Sequence, residues 1–387
     1  MTHQIRTQHA PGTTQHAPST TGRTPRTTTP SATRALARRR ALTLPASAGV
    51  LVLALTACSA SSATTRDDGT TVLRYQGAVA SVGYPELAED LGYFEDVELE
   101  WVGDVTGGPA SIQAAVTGET DYGNAFNGAI AKLASTGAGV TSVITYYGAD
   151  DLTASHFYAL EGSGVTGARD LIGKKVGVNT LGAQSETVLR DWLAHEGLSR
   201  DEIDEVELVV IPPVNAEQVL REGQVDAVSL GGVLQDTALE RGGLTALFGE
   251  ADLYGEFGYG SIIFRDDFIA RNEDAVADFV QGTARAIRWA QTSPPEEVRE
   301  RYVSILEERD RGETTDLVKY WKSTSIPTPG GVIQEDEISR WVEWLEDDGQ
   351  IEPGSLDVPD LYTNEYNPYA NGTYAPDAGP DGEEVTS

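Results

Sequence analysis

Residues 206–229 read VELVVIPPVNAEQVLREGQVDAVS. Val206 to Ile211, apolar apart from Glu207, reads as a strand and is followed by Pro212-Pro213. Proline cannot donate to a sheet ladder, but it suits the first turn of a helix. Ala216 to Arg221 then carries apolar residues at helical spacing, and Gly223 follows as a left-handed cap. Val225 to Ser229 resumes an extended pattern. Strand, short helix, capped turn and strand make one βαβ unit, which sets the class as α/β.

The same order recurs on both sides. Lys175 to Val178 reads as a strand, Gly182 to His195 as a helix, Val233 to Glu240 as a helix and Leu244 to Phe248 as a strand. An earlier set has strands at Thr71–Gln76, Val97–Val102, Thr120–Ala125 and Val140–Tyr146. Its helices are Pro85–Gly92, a run to Gly118 opened by Pro109, and Phe126–Ser135. This alternation predicts largely parallel sheets. After a strand at Ser261–Arg265 the chain turns helical, at Ala275–Gln291, Pro295–Arg309, Thr314–Trp321 and Glu335–Leu345. The stretch from Glu352 is rich in Pro, Gly, Asn and acids, and reads as a tail that wraps the surface or is disordered. Ala114 to Gly123 echoes Glu217 to Ala227, each a helix, a glycine and a strand bearing Asp. Glycine capping and a duplicated architecture both account for the echo.

Cys58 is the only cysteine of the 387 residues. It can make neither an internal disulfide nor a cysteine-based metal site. Arg38-Arg39-Arg40 precede it, followed by Ala41 to Ala57, which carries no charge. A basic region, an apolar run and small residues before a cleavage point form a secretory signal. Leu55-Thr56-Ala57-Cys58 resembles the lipobox of bacterial lipoproteins, which implies cleavage before Cys58 and lipidation of its sulfur. Ser59 to Thr70 reads as a flexible tether. The chain carries a formal net charge of −32, and seven arginines and no acids lie before Cys58, so the remainder is more acidic still. Such a surface repels nucleic acid and anionic membranes.

The ordered pieces LAEDLGYFEDVELEWV, AAVTGETDYGNA, ARDLIGKKVGVNTLGAQSE and VLREGQVDAVSL are similar to solute-binding proteins of nitrate, sulfonate and taurine importers. Pyrimidine-precursor receptors share that superfamily. The resemblance runs from Thr71 to Trp344. It implies a two-domain periplasmic-binding-protein type II fold with two hinge crossovers and a helical C-terminal part. The expected division is a signal segment at 1–57, a tether at 58–70, one domain from 71–156 and 262–350, a second at 157–261, and a tail at 351–387. The crossovers are expected at Phe157–Leu160 and Ser261–Phe264. The implied role is an extracytoplasmic, lipid-anchored receptor that hands a small solute to an ABC permease. It is expected to be monomeric and to use no cofactor, metal or catalytic residue.

In open α/β sheets, ligands sit beyond the carboxyl ends of strands. Applied here, that rule selects Gln76, Thr106, Gly107, Gly108, Asn124, Phe126, Asn127 and Tyr147 from the first set. From the second it selects His156, Thr180, Leu181, Gly182, Ala183, Gln184, Ser185, Asn215, Gly231 and Gly232. Many of these open helices, whose free N–H groups and partial positive charge favour anions. The bland alternative is capping and turn chemistry. Tyr84, Phe126, Tyr147, His156 and Phe157 are candidate aromatic walls, with core packing as the alternative. These loops hold no Lys or Arg, while Asp104 and Glu186 lie in them. A phosphate ester would be poorly held there. A small organosulfonate is the expected solute, and a neutral or cationic heteroaromatic fits the charge equally well.

Enzyme readings are weaker. His156 and His195 are the only histidines beyond Cys58, and neither sits in a zinc-binding helix motif. Gly167 to Lys174 superficially resembles a phosphate loop, but its glycine spacing is wrong and Lys175 stands where Ser or Thr is needed. A pyrimidine synthase on a similar fold uses a cysteine-rich motif that this chain lacks.

Overall fold

The unit at residues 206–229 folds as read, with strand Glu207–Val210, helix Pro213–Arg221 and strand Ala227–Leu230. The computed structural model describes residues 63–105 and 107–385. Their strands are β1 (Thr64–Thr65), β2 (Thr71–Gly77), β3 (Val97–Asp104), β4 (Tyr122–Phe126), β5 (Val140–Ala149) and β6 (His156–Leu160). The others are β7 (Lys175–Val178), β8 (Glu207–Val210), β9 (Ala227–Leu230), β10 (Leu244–Gly249) and β11 (Phe257–Arg265). They form three sheets, in the orders β1-β2-β3, β4-β11-β5 and β10-β6-β9-β7-β8. The signal segment, Cys58 and Thr106 lie outside the described residues. Order begins before the end of the expected tether, because Thr64 and Thr65 pair with Val72 and Thr71.

The sheets are mixed rather than largely parallel. β2–β3, β7–β8 and β7–β9 are parallel. β6, the first strand after the chain enters the five-stranded sheet, and β11, the first after it leaves, run antiparallel to their neighbours. A strand that arrives from elsewhere is not bound by the helical crossover that makes its neighbours parallel.

The chain enters the five-stranded sheet at residues 150–155, from β5 to β6, and leaves it at 250–256, from β10 to β11. Both passages come earlier than Phe157–Leu160 and Ser261–Phe264. Those segments are committed to ladders inside single sheets, Phe157 opposite Ser229 and Phe248, and Ser261 opposite Ala125 and Thr145.

Aromatic and aliphatic stripes fix the layers. The helix Gln184–His195 buries Val188, Leu189, Trp192 and Leu193 against the five-stranded sheet, and Trp192 stacks on Phe248 at 4.0 Å. The helix Glu273–Thr292 buries Val276, Phe279, Val280 and Ile287, with Phe279 4.7 Å from Tyr122. Each such side chain contributes about 1.5–3 kcal/mol when fully buried. Gly282 faces Phe94, where a Cβ would lie 2.5 Å from the ring.

The acidic tail wraps that second helix. Asn367 is buried and donates to the Gly330 carbonyl at 2.9 Å. Arg288 donates to the Ala378 and Asp377 carbonyls, at 2.6 and 2.8 Å. Of the two readings of this segment, surface wrapping describes its residues up to 385.

Candidate functional site

A cleft of about 470 Å³ opens where three pieces of chain converge. One wall holds Ser81, Val82, Tyr84, Tyr146, Tyr147 and Tyr302. The second holds Val214 and the first five residues of the helix Gly232–Arg241, from Gly232 to Asp236. The third is Leu317–Val318 with Tyr320 to Ser325. Val79 and Ala80, with Leu152, Thr153 and Ala154 from residues 150–155, complete the lining.

The third wall is where a helix was expected over Thr314–Trp321. Only a 3-10 turn at Val318–Tyr320 forms. Positive φ at Asp310 and Gly312 breaks the chain direction just before it. Tertiary contacts then hold the segment: Trp321 packs edge-on against Tyr302 at 5.9 Å, and its carbonyl accepts from Arg299 Nε at 2.8 Å. Its polar side chains reach across the cleft. Lys322 Nζ donates to Asp236 Oδ1 at 2.7 Å, and Tyr320 OH lies 3.3 Å from Glu240. Tyr84 OH donates to the Thr324 carbonyl at 3.1 Å, and Thr153 and Ser323 hydroxyls meet at 3.0 Å.

The lining is aromatic and nearly neutral. Tyr84 and Tyr146 are T-shaped at 5.8 Å, as are Tyr146 and Tyr147 at 6.0 Å. Burial pushes the phenols of Tyr84, Tyr146, Tyr147 and Tyr302 up, so all four stay protonated and uncharged. Asp236 and Lys322 are the charged residues of the lining, and they pair with each other. Gln235 Oε1 is buried in the same wall without a hydrogen-bond partner. A buried acceptor without a partner costs about 1–3 kcal/mol. The cleft therefore suits a flat, uncharged molecule that carries an N–H or O–H.

A smaller chamber of about 160 Å³ shares Ser81 and Tyr146 with the cleft and contains Gln76 and Asn124. Glu86 lies in it with every partner supplied. It accepts from Tyr75 OH at 2.5 Å, Gly83 N–H at 2.8 Å, Arg309 at 2.9 Å and Arg311 at 3.2 Å.

The residues selected from sequence scatter. Tyr147 and Gly232 line the main cleft, as does Tyr84. Asn215 is exposed beside Val214, and Gly231 caps the helix Gly232–Arg241. Gly107 caps the helix Gly108–Thr117, and Gly108 sits against Ala125, where a Cβ would be 3.0 Å away. Phe126 packs on Trp341 at 4.7 Å, and Phe157 stacks on Phe248 at 4.8 Å, both in core positions. Asn127 is buried and donates to the Glu337 carbonyl at 2.8 Å while accepting from Ser261 Oγ at 2.8 Å. His156 lies over Gly249, where a Cβ would be 2.5 Å from Nε2.

The Thr180–Ser185 loop spends its polar groups internally. The Gly182 N–H donates to Glu186 at 2.8 Å, and Ser185 Oγ to Asn179 Oδ1 at 2.6 Å. Leu181 is exposed, Ala183 caps the helix, and Gln184 donates to Glu250. Sequence reasoning missed Gln235, Asp236, Tyr302 and the 317–325 segment. The run Tyr320-Trp321-Lys322 was the available signal, its first two residues read as the end of a helix.

Among the described residues, no cluster of His, Cys, Asp and Glu is arranged to hold a metal ion. No described helix is long and apolar enough to cross a membrane. His195 is exposed at a helix end, 4.0 Å from Glu196.

The fold is that of periplasmic binding proteins. It matches a protein of Bordetella bronchiseptica RB50 with a TM-score of 0.62 and 21% identity, covering 78% of this chain and 97% of that one. The alkanesulfonate-binding protein SsuA of Xanthomonas axonopodis pv. citri, bound to MOPS, matches at 0.58 with 19% identity, covering 76% and 98%. The nitrate-binding protein NrtA of Synechocystis PCC 6803 matches at 0.59 with 12% identity, covering 77% and 87%. The sequence profile of the NMT1/THI5 like family matches residues 86–297, more than half of the chain, and the chain belongs to that family. No curated protein matches by sequence.

Proposed function

We propose that the chain is an extracytoplasmic solute receptor of an ABC importer that binds a flat, uncharged heteroaromatic molecule in the cleft. The observation that carries this reading is the lining: tyrosine rings, one self-neutralised ion pair and the unpartnered Gln235 acceptor. Rings supply area and stacking faces, and a single well-placed polar group sets orientation. The sheets joined at 150–155 and 250–256 act as two domains that close on the solute by hinge motion. Cys58 is the lipid attachment point, and the permease is the membrane partner. The receptor works as a monomer and returns its ligand unchanged.

A small organosulfonate is the second reading. It is favoured by the likeness to the alkanesulfonate-binding protein bound to MOPS. Helix N-termini and hydroxyls would be its main holds.

The test is a thermal-shift screen of the full-length protein against pyrimidines, other heteroaromatics, sulfonates and nitrate. A solute at a hundredfold its Kd stabilises by about 2.7 kcal/mol. Trp321 lines the cleft, so its emission should change with the same solute. A shift with sulfonates alone replaces the first solute by the second. No shift with any member of the panel sinks the receptor reading.

A further inference from the structure

Asp236 and Lys322 come from opposite walls of the cleft. Asp236 is the fifth residue of the helix Gly232–Arg241, and Lys322 lies in the 317–325 segment. Their charged atoms are 2.7 Å apart, with side chains 17% and 40% exposed. Lys322 is the only cation among the described residues of the lining, and Asp236 is the only anion. The pair is partly shielded from water, so each charge cancels most of the other's field in the cleft. The remaining described lining residues carry hydroxyls, amides, rings and aliphatic groups, none of which replaces a lost countercharge.

We infer that Asp236 is the residue that sets the charge selectivity of the cleft, by holding Lys322 neutralised so that anionic solutes are refused. The inference rests on the cleft being the solute site. Discrimination of this kind comes from what is withheld as much as from what is offered. An ammonium with no partner at this position would attract a monoanion directly, as single cations in partly dry pockets do. With Asp236 in place, an entering sulfonate meets a carboxylate beside the only ammonium, and like charges so placed are costly. Gln235, one residue before Asp236, then offers the unpartnered acceptor, which an uncharged N–H satisfies and a sulfonate oxygen does not.

Benzenesulfonate and its uncharged analogue benzenesulfonamide separate the two effects, since they differ little in shape. Both are titrated calorimetrically into the full-length parent, Asp236→Asn, and Asp236→Asn combined with Lys322→Met. Circular dichroism checks that each variant retains the fold. The expected result is benzenesulfonate binding at least about tenfold tighter in Asp236→Asn than in the parent and a return to the parent level in the double variant, the gain for benzenesulfonate exceeding any change seen for benzenesulfonamide. A folded Asp236→Asn with no gain overturns the inference, as does a gain that survives Lys322→Met. Equal benzenesulfonate affinity in parent and Asp236→Asn also overturns it. If the parent binds neutral heteroaromatics while Asp236→Asn gains nothing, the charge selectivity fails and the receptor reading stands.

Discussion

Ser155 and Glu250 are bonded to each other twice. The Ser155 N–H donates to the Glu250 carboxylate at 2.8 Å, and the Glu250 N–H donates to the Ser155 carbonyl at 3.0 Å. One residue lies in each passage between sheets, so this pair ties the two passages side by side. Glu250 also accepts from Gln184, at the start of its helix, and from Tyr259 OH at 3.5 Å. All of these partners are uncharged.

Glu250 is 1% exposed, and burial lifts its carboxyl from 4.5 to about 8. Below about pH 4.5 the folded and unfolded chains both hold the proton. Between that value and about 8 only the folded chain holds it, so stability falls as pH rises through this window and levels off above it. Glu250→Gln should remove that slope. Urea unfolding at pH 5 and pH 9 should show the parent losing stability relative to the variant, by an amount on the order of a few kcal/mol. Parallel pH profiles for the two proteins would show that Glu250 is ionised throughout. Glu337, buried and lifted to about 7, adds a slope of the same sign to both proteins and cancels in the comparison.

Gly148→Ala should destabilise the protein by about 1–3 kcal/mol. A Cβ there would lie 2.3 Å from the Phe257 carbonyl oxygen and 2.5 Å from that of Ser325. Both obstacles are backbone, so neither can rotate away. Denaturant midpoints measure the loss, and an unchanged midpoint would mean that the β5–β11 ladder and the third cleft wall are loosely set.

Gln235→Leu should separate stability from binding. It removes a buried acceptor that has no partner in the empty cleft, so the ligand-free protein should keep or gain stability. Affinity for the solute found by the thermal-shift screen should fall about tenfold, the loss of one hydrogen bond to an uncharged donor. Equal affinities would remove Gln235 from the contact set.

Cys58→Ala should abolish metabolic labelling by fatty acid and release the protein from the membrane fraction. Persistent labelling would place the lipid elsewhere.

The βαβ order was legible because its signals are local. Gly118 ends a helix with φ 78, and Gly223, with φ 67, follows the helix Pro213–Arg221, where the sequence puts them. Cap chemistry needs no knowledge of the rest of the chain. Strand direction was not local: β6 and β11 look like their neighbours, and only the passages that feed them make them antiparallel. The site was legible in part for the same reason. The strand-end rule found Tyr147 and Gly232, but it also selected Asn127 and Phe126, whose side chains turn into the core. Lys322 gives no local sign of facing Asp236, 86 residues away. That pairing exists only once the 317–325 segment has folded across the cleft.

β1 is two residues long, yet its pairing with β2 holds Thr64 and Thr65 to the sheet edge. Cys58 and Thr64 are six positions apart, and that much chain spans at most roughly 20 Å when fully extended. With a lipid on Cys58, Thr64 could stand no farther than that from the bilayer surface. Its encounters with a permease would then be governed by lateral drift in two dimensions.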